Sequence, residues 1–395
     1  MIKPEMDQIE EFLTRGVANI IPSREELEKV LRSDHKLNVY LGIDPTAPHL
    51  HLGNATHLRR LQVLSELGHH VTFLIGDFTA LIGDTSDKDS ERPILTSDQI
   101  DTNWQTYKSQ AEKLIDFSKV RVRRNSEWLS RLDFRKTIEL IQQFSLNDFV
   151  SRELIKKRLA SPDVTIRLDE TIYPIMQGYD SWFMDTDLQI GGTDQTFNMQ
   201  AGRVLQKKWR GKESYIIAGE FLEGTDGRKM SKSWGNAIWL DDEPNDVYGK
   251  VMSLKDDLIE RYFLIATSLP EIQISNFKLQ IDNPMDLKKA LAHQIVLELH
   301  GRAASDSAQS YFESTFQQGQ TPTDIPEVKV SSTNIIDALA ESGLASSKSE
   351  ARRLINQGGV QVDNQKISTE RYTLDASPCI LRVGRKFAKI ISLKN

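Results

Sequence analysis

One stretch constrains this chain more than any other: Tyr40-Leu-Gly-Ile-Asp44-Pro-Thr46-Ala-Pro48-His49-Leu-His51-Leu-Gly53-Asn54. The apolar run from Val39 to Ile43 predicts a buried strand, Pro45 and Pro48 break it, and Gly53-Asn54 leads into an apolar-periodic segment that predicts a helix. The first turn of a helix presents unpaired N–H groups and the positive end of its dipole. His51 and Asn54, just ahead of Leu58, Leu61, Leu64 and Leu67, therefore stand where an anion is held. Gly53 lets a flat ligand lie against bare backbone. Taken alone, His-x-Gly-Asn is more often an accident around a capping or packed histidine, so the rest of the chain has to decide.

Residues 5–32 read as two amphipathic helices, the first with Ile9, Phe12 and Leu13 on one face, the second capped by Ser23 with Leu27, Val30 and Leu31 inward. After the central stretch its helix ends at Gly68, and a second strand follows at Val71–Ile75. Strand, helix and strand predict a right-handed parallel crossover, the first half of a doubly wound α/β sheet. Ligands bind beyond the carboxyl ends of such strands. In the next loop, Asp84 therefore suits an ammonium group, and Lys88 and Arg92 suit phosphates. Thr96-x-x-Gln99 is a capping box, and residues 97–160 are expected to be mostly helical, interrupted by a short strand at Val120–Val122.

Tyr173, Gln177 and Asp180 fall at helical spacing on one face, flanked by apolar residues. Three polar groups beside buried neighbours point to a polar ligand rather than to solvent. Gly191-Gly192 permits close backbone approach, Asp194 suits a ribose hydroxyl pair, and Tyr215–Ala218 is expected to continue the sheet. The least ambiguous stretch is Gly227-Arg-Lys229-Met-Ser-Lys232-Ser233, which combines a flexible backbone with two lysines three apart. Such a loop suits a transferring polyphosphate.

Those residues resemble the class I aminoacyl-tRNA synthetases. His51-Leu-Gly53-Asn54 matches the first family signature, with Asn54 in place of histidine, and Lys229-Met-Ser-Lys232-Ser233 matches the second letter for letter. Within the class the chain resembles the bacterial tyrosyl-tRNA synthetase family along nearly its whole length. The carrying stretches are Tyr40-x-Gly42-x-Asp44-Pro-Thr46, Gly83-Asp84, Tyr173-x-x-x-Gln177-x-Tyr-Asp180 and Gln189-Ile-Gly-Gly-x-Asp194-Gln195.

The resemblance implies that Tyr40 and Asp180 hold the phenolic hydroxyl of a substrate tyrosine, and Asp84, Tyr173 and Gln177 its ammonium group. Asp44, Gly192, Asp194 and Gln195 would contact the amino acid and the ribose of the adenylate. Thr46, His51, Gly53, Asn54, Lys88, Arg92, Lys229, Lys232 and Ser233 would surround the phosphates. ATP is expected as a substrate accompanied by Mg²⁺, with no prosthetic group. The resemblance further implies a homodimer formed through residues 97–160, with each tRNA bridging both subunits. A tryptophanyl enzyme of the same fold is the nearest rival, and a non-catalytic RNA-binding relative the next.

Charge supports an RNA-binding end. From Ser331 onward ten Lys and Arg face six Asp and Glu, a surplus of four, although the whole chain carries −6. This end resembles an S4 RNA-binding domain, with a helix over Asn334–Glu341, a capping box at Ser347–Glu350, and a hairpin turned by Asp363-Asn364. Lys348, Arg352, Arg353, Lys366, Arg382, Arg385 and Lys386 would meet RNA phosphates.

The expected organisation is a Rossmann-like doubly wound parallel sheet over residues 1–240 with a helical insertion at about 97–165. An α-helical domain at 241–320, which in the family takes the anticodon stem, a linker at 321–330 and a small α+β S4 domain at 331–395 would follow. A single cysteine, Cys379, excludes intrachain disulfides and cysteine-built zinc sites. No metal site is expected, since the eight histidines lack ligand spacing. With no run of about 18 apolar residues and no apolar segment at the amino end, neither a membrane span nor a secretory signal is expected, and the location read is cytoplasmic.

Overall fold

A computed structural model of the chain describes residues 7–84, 95–161, 166–232, 234–317, 325–375, 377–384 and 386–393. Lys88, Arg92, Ser233, Arg385 and residues 321–324 of the expected linker lie outside them. The chain divides into two compact units between Gln309 and Ser310.

The first unit is built on six strands: β1 (Val17–Ile21), β2 (Asn38–Ile43), β3 (His70–Ile75), β4 (Val120–Arg124), β5 (Leu188–Gly192) and β6 (Tyr215–Gly219), in the order β1-β6-β5-β2-β3-β4. All pairs are parallel except β1 with β6. Continuous apolar runs such as Val39-Tyr40-Leu41 and Ile216-Ile217-Ala218 are buried, as parallel strands covered on both faces require. The chain leaves β2 toward β3 on one side and later returns to β5 on the other. The crevice past the carboxyl ends of β2 and β5 is thus the switch point where such sheets bind ligands.

Helices cover the sheet. α1 (Gln8–Thr14), α2 (Arg24–Leu31), α3 (Leu52–Glu66) and α4 (Ser97–Ala111) precede β4. α5 (Ser126–Leu129), α6 (Phe134–Ile141), α7 (Leu146–Val150), α8 (Glu153–Leu159) and α9 (Leu168–Phe183) follow it, and α10 (Thr196–Arg210) joins β5 to β6. Ser23 and Thr96 cap α2 and α4 as expected, Thr96 in a reciprocal box with Gln99. Beyond β6 come α11 (Pro244–Met252), α12 (Ile259–Ala266), α13 (Glu271–Gln280), α14 (Pro284–His300) and α15 (Arg302–Phe312). Asn283 caps α14, whose first turn begins with Pro284, and Gly301 at φ +84° ends it.

Three local readings are corrected. Residues 5–32 are not two helices alone, because Val17–Ile21 between them pair with β6 as an antiparallel edge strand. The strand at Val120 does not interrupt an insertion: β4 runs to Arg124 and pairs along its whole length with β3. Hence α4 is a crossover helix of the sheet, and only α5–α8 are additional to it. Lastly, Glu327–Val330, expected in the linker, form β7 of the second unit's sheet.

That second sheet runs β7-β11-β10-β8-β9, with β8 (Val360–Val362), β9 (Gln365–Ile367), β10 (Cys379–Val383) and β11 (Lys386–Leu393). α16 (Ile335–Glu341) and α17 (Lys348–Asn356) pack on it around Ile335, Leu339, Ile355, Val360 and Leu381. Asp363 and Asn364 both adopt positive φ, 47° and 66°, the turn that a two-residue hairpin selects. At α17 the capping box is displaced by one residue: Ser347 Oγ accepts from the Glu350 N–H, but Glu350 reaches back to the Ser346 N–H.

Candidate active site

The carboxyl ends of β2 and β5, the first turn of α3, one face of α9 and the lysine loop enclose a cavity of about 470 Å³. Tyr40, Asp44, Thr46, His51, Gly53, Asn54, Asp84, Tyr173, Gln177, Asp180, Gly192, Asp194, Gln195, Lys229 and Lys232 all line it. Every site residue expected in the first unit that lies among the described residues is therefore brought to one place.

At one end, Tyr40 and Asp180 are 3% and 2% exposed. Burial pushes the Asp180 carboxyl up to about 8, against hydrogen bonds from Asn125 Nδ2 at 3.1 Å and Trp128 Nε1 at 2.7 Å. The Tyr40 phenol is pushed well up by the same burial and by the Asp180 charge. Its hydroxyl donates to Gln189 Oε1 at 3.1 Å, and Gln189 in turn donates to the Met199 carbonyl. Tyr40 and Gln189 are direct neighbours in the β2–β5 register, which sets that contact.

A polar chain runs from Asp180 toward the middle of the cavity. Asn125 Nδ2 also donates to Thr79 Oγ1 at 3.0 Å, Thr79 Oγ1 donates to Asp44 Oδ1 at 2.8 Å, and Tyr173 Oη donates to Asp44 Oδ2 at 2.9 Å. A Cβ on Gly76 would come within 2.0 Å of Asp44 Oδ1, so only glycine lets β3's outgoing loop pass this carboxylate. Asp84 accepts from Gln195 Nε2 at 2.6 Å and from Asn198 Nδ2 at 3.3 Å. Carboxylates aimed at one space, Asp84 buried and Asp44 half-buried, are what an ammonium group calls for.

The far end is cationic. His51 caps α3, and its N–H donates to Asn54 Oδ1 at 3.1 Å. With its oxygen used there, Asn54 offers a ligand its amide N–H groups, the donor that a histidine in this position would also supply. Leu52 N–H donates to the Ile238 carbonyl and Asn54 N–H to the His51 carbonyl, so the helix end is less open than its sequence suggests. Lys229 Nζ lies 3.0 Å from Asp194 Oδ2, and Lys232 Nζ donates to Tyr107 Oη at 2.8 Å. His51 and His57 are both held neutral: burial first, then nearby cations, lowers each to about 3.

Thr79, Tyr107, Asn125, Trp128 and His57 belong to this site and were not anticipated. Asn125 follows the carboxyl end of β4, so recognising β4 as a sheet strand would have pointed to it. His57 lies two turns into α3 from His51, on the cavity side. Nothing local marks Trp128.

In the second unit the expected cations are not equally placed. Arg382, Gln361 and Lys366 lie side by side across β10, β8 and β9, on the face opposite the buried Val360, Val362 and Leu381. Lys386 pairs with Val383 and so projects to the other face. Lys348, Arg352 and Arg353 on α17 are exposed but each faces a carboxylate, Asp337 at 2.7 Å, Glu370 at 3.6 Å and Glu350 at 3.3 Å respectively. Exposed pairs of this kind are weak and exchange readily for a phosphate.

Comparison with known proteins points to one family. A family model described as tRNA synthetases class I (W and Y) matches residues 32–317, and an S4 domain model matches residues 335–377. A Thermotoga maritima protein named tyrosine–tRNA ligase is 40% identical over 387 residues, 96% of each chain. Its Shewanella oneidensis namesake is 42% identical over 395 residues, 98% of this chain and 99% of that one. An Archaeoglobus fulgidus tyrosyl-tRNA synthetase solved with L-tyrosine aligns over 77% of this chain and 100% of its own, with a TM-score of 0.60 at 22% identity. At that identity the likeness speaks for the fold.

Proposed function

The chain belongs to the class I tRNA synthetases, within them to the tyrosine–tRNA ligases, and from that premise we infer how its own residues perform the reaction. It activates L-tyrosine with ATP and transfers the tyrosyl group to the terminal ribose of its tRNA. One observation carries the assignment of substrate ends: the buried Tyr40 and Asp180 close one end of a cavity whose other end holds Lys229 and Lys232.

Tyrosine's phenol reaches Asp180, and the Tyr40 hydroxyl, free to rotate about its C–O bond, turns from Gln189 to meet it. Asp84, Tyr173 and Gln177 take the ammonium group. The substrate carboxylate then attacks the α-phosphorus of ATP in line, forming a C–O–P linkage as the bond to pyrophosphate breaks. A carboxylate is already a nucleophile, so positioning and charge stabilisation do the catalysis. Lys229, Lys232, Asn54, Thr46 and the backbone at Gly53 surround the phosphates, joined by Lys88, Arg92, Ser233 and a neutral His51. Asp44, Gly192, Asp194 and Gln195 position the adenylate. Mg²⁺ is part of the substrate, carried on ATP's phosphate oxygens. In the second step a ribose hydroxyl of the tRNA attacks the acyl carbon and AMP leaves.

Residues 1–240 carry this chemistry, 241–320 take the anticodon stem, and 331–395 bind RNA through Lys348, Arg352, Arg353, Lys366, Arg382, Arg385 and Lys386. The enzyme works as a homodimer. Supporting this, Phe134, Leu146, Leu159 and Leu168 between β4 and β5 are 81%, 65%, 59% and 82% exposed, large apolar side chains that a partner's surface would cover. No helix among the described residues is long and apolar enough to cross a membrane, and the enzyme acts in the cytoplasm, where tRNA and ATP are.

ATP–pyrophosphate exchange with each of the twenty amino acids tests the reading. Exchange with tyrosine alone supports it, exchange with tryptophan alone makes this a tryptophanyl enzyme, and no exchange leaves an RNA-binding protein on the same scaffold.

A further inference from the structure

Among the described residues the lysine loop belongs to no helix or extended strand, only an isolated bridge from Lys229 to Glu223 and a bond from the Met230 N–H to the Leu222 carbonyl at 2.7 Å, yet Asn236, three residues beyond Ser233, is 2% exposed and polar. A buried carboxamide must fill one acceptor and two donor roles. Asn236 Oδ1 accepts from the Ser231 N–H at 3.0 Å. Its Nδ2 donates to Asp226 Oδ1 at 2.8 Å, to the Lys229 carbonyl at 3.1 Å and, at longer range, to the Arg228 carbonyl at 3.4 Å. The Asn236 carbonyl also accepts from the Thr225 N–H at 3.1 Å.

So one side chain binds the loop on both flanks of Met230, between the two lysines. A Cβ on Gly224 would sit 2.5 Å from Asn236 Cγ, so a glycine is needed where the loop crosses this amide. The far side of Asn236 is anchored. Ile238 and Leu240 are buried, and the backbone bonds Leu52 N–H to Ile238 O at 2.9 Å and Leu240 N–H to Leu50 O at 2.8 Å tie the segment to the start of α3.

We propose that Asn236 is the positioning residue of the lysine loop, a buried amide that transmits the fixed register of residues 50–52 to the backbone of Lys229 and Ser231. It touches neither substrate. Its effect is to set the backbone of Lys229 and Ser231 in the conformation seen here, beside the first signature. This role deepens the proposed function and, in its kinetic readout, rests on it.

Two variants test it. Asn236→Asp keeps the shape and the acceptor but loses both N–H donors, and Asn236→Ala loses all three roles. Each is expected to slow tyrosine-dependent ATP–pyrophosphate exchange about 10- to 100-fold in kcat, as small misplacements of charge do, with tyrosine affinity by equilibrium dialysis within about twofold of native. A second readout is independent of activity: trypsin cleavage after Arg228, Lys229 and Lys232, mapped by mass spectrometry, accelerates about tenfold at an unchanged melting midpoint. Native-like cleavage and exchange in both variants overturn the proposal, as does loss of tyrosine affinity in step with kcat, which marks general damage. If the native protein exchanges with no amino acid, the functional reading falls and the cleavage result alone judges Asn236.

Discussion

Lys229 Nζ lies 3.0 Å from Asp194 Oδ2, so a lysine assigned to ATP's phosphates is held by the carboxylate assigned to its ribose. Both side chains are about 30% accessible, at 30% and 28%, and a pair so placed contributes little, so the nucleotide separates them at small cost. Asp194→Asn should raise the KM for ATP about tenfold, the loss of one charge-assisted hydrogen bond, with a smaller change in kcat. Steady-state exchange at varied ATP checks this, and an unchanged KM removes Asp194 from the ribose.

Lys232 should behave in the opposite way. In the proposed reaction its ammonium acts on the leaving pyrophosphate, where charge develops, so Lys232→Ala should lower the activation rate by roughly two to three powers of ten with tyrosine affinity nearly unchanged. Single-turnover adenylate formation measures it. Retention of the native rate would show that the lysine is not in the reaction.

Asp180 makes a pH prediction. Its carboxyl, pushed up to about 8 when folded, binds a proton more tightly than in the unfolded chain. Between about pH 4 and 8 the folded state therefore holds more protons, so the stabilising contribution is complete at acid pH and is lost as pH rises toward 8. Asp180→Asn removes that dependence, and its melting midpoint relative to native should rise from pH 5 to pH 8. A constant difference would mean that Asp180 is ionised throughout. The same variant should narrow discrimination of tyrosine from phenylalanine about 10- to 100-fold, because a phenol donating to Asp180 favours its ionised form, and the amide that replaces it cannot supply that charge.

The apolar side chains between β4 and β5 predict the assembly. Native protein should sediment as a dimer, and the double variant Phe134→Glu, Leu168→Glu as a monomer with an unchanged far-ultraviolet spectrum. A native monomer at micromolar concentration would end the dimer proposal.

Much of this molecule was legible wherever its physics is local. The run Val39–Ile43, the prolines after it and the period of Leu58, Leu61 and Leu64 specify β2, a loop and α3 within thirty residues, and all three are observed within a residue or two. Thr96 with Gln99, Asn283 with Pro284, and Asp363 with Asn364 are likewise short-range devices, and each does in the structure what its chemistry dictates. The lysine loop was legible because two cations on a flexible backbone have few other uses.

What stayed hidden is whatever depends on a partner far along the chain. β1 exists because Val17–Ile21 meet Gly219–Ile216, about two hundred residues away, and β7 because Glu327–Val330 meet β11. Asn125 and Trp128 hold Asp180 from 55 and 52 residues away, and Asn236 was unremarkable in sequence although it fills its roles inside a loop of its own making. The sequence by itself determined which groups could meet a polar ligand, a ribose and a polyphosphate, since those are properties of residue types at short spacing, while tyrosine as that ligand came with the family resemblance. Only the tertiary structure decided which carboxylates are buried, which histidines stay neutral and which amide holds the lysines. Desolvation and hydrogen-bond satisfaction are set by what surrounds a group in space, and no local pattern records that.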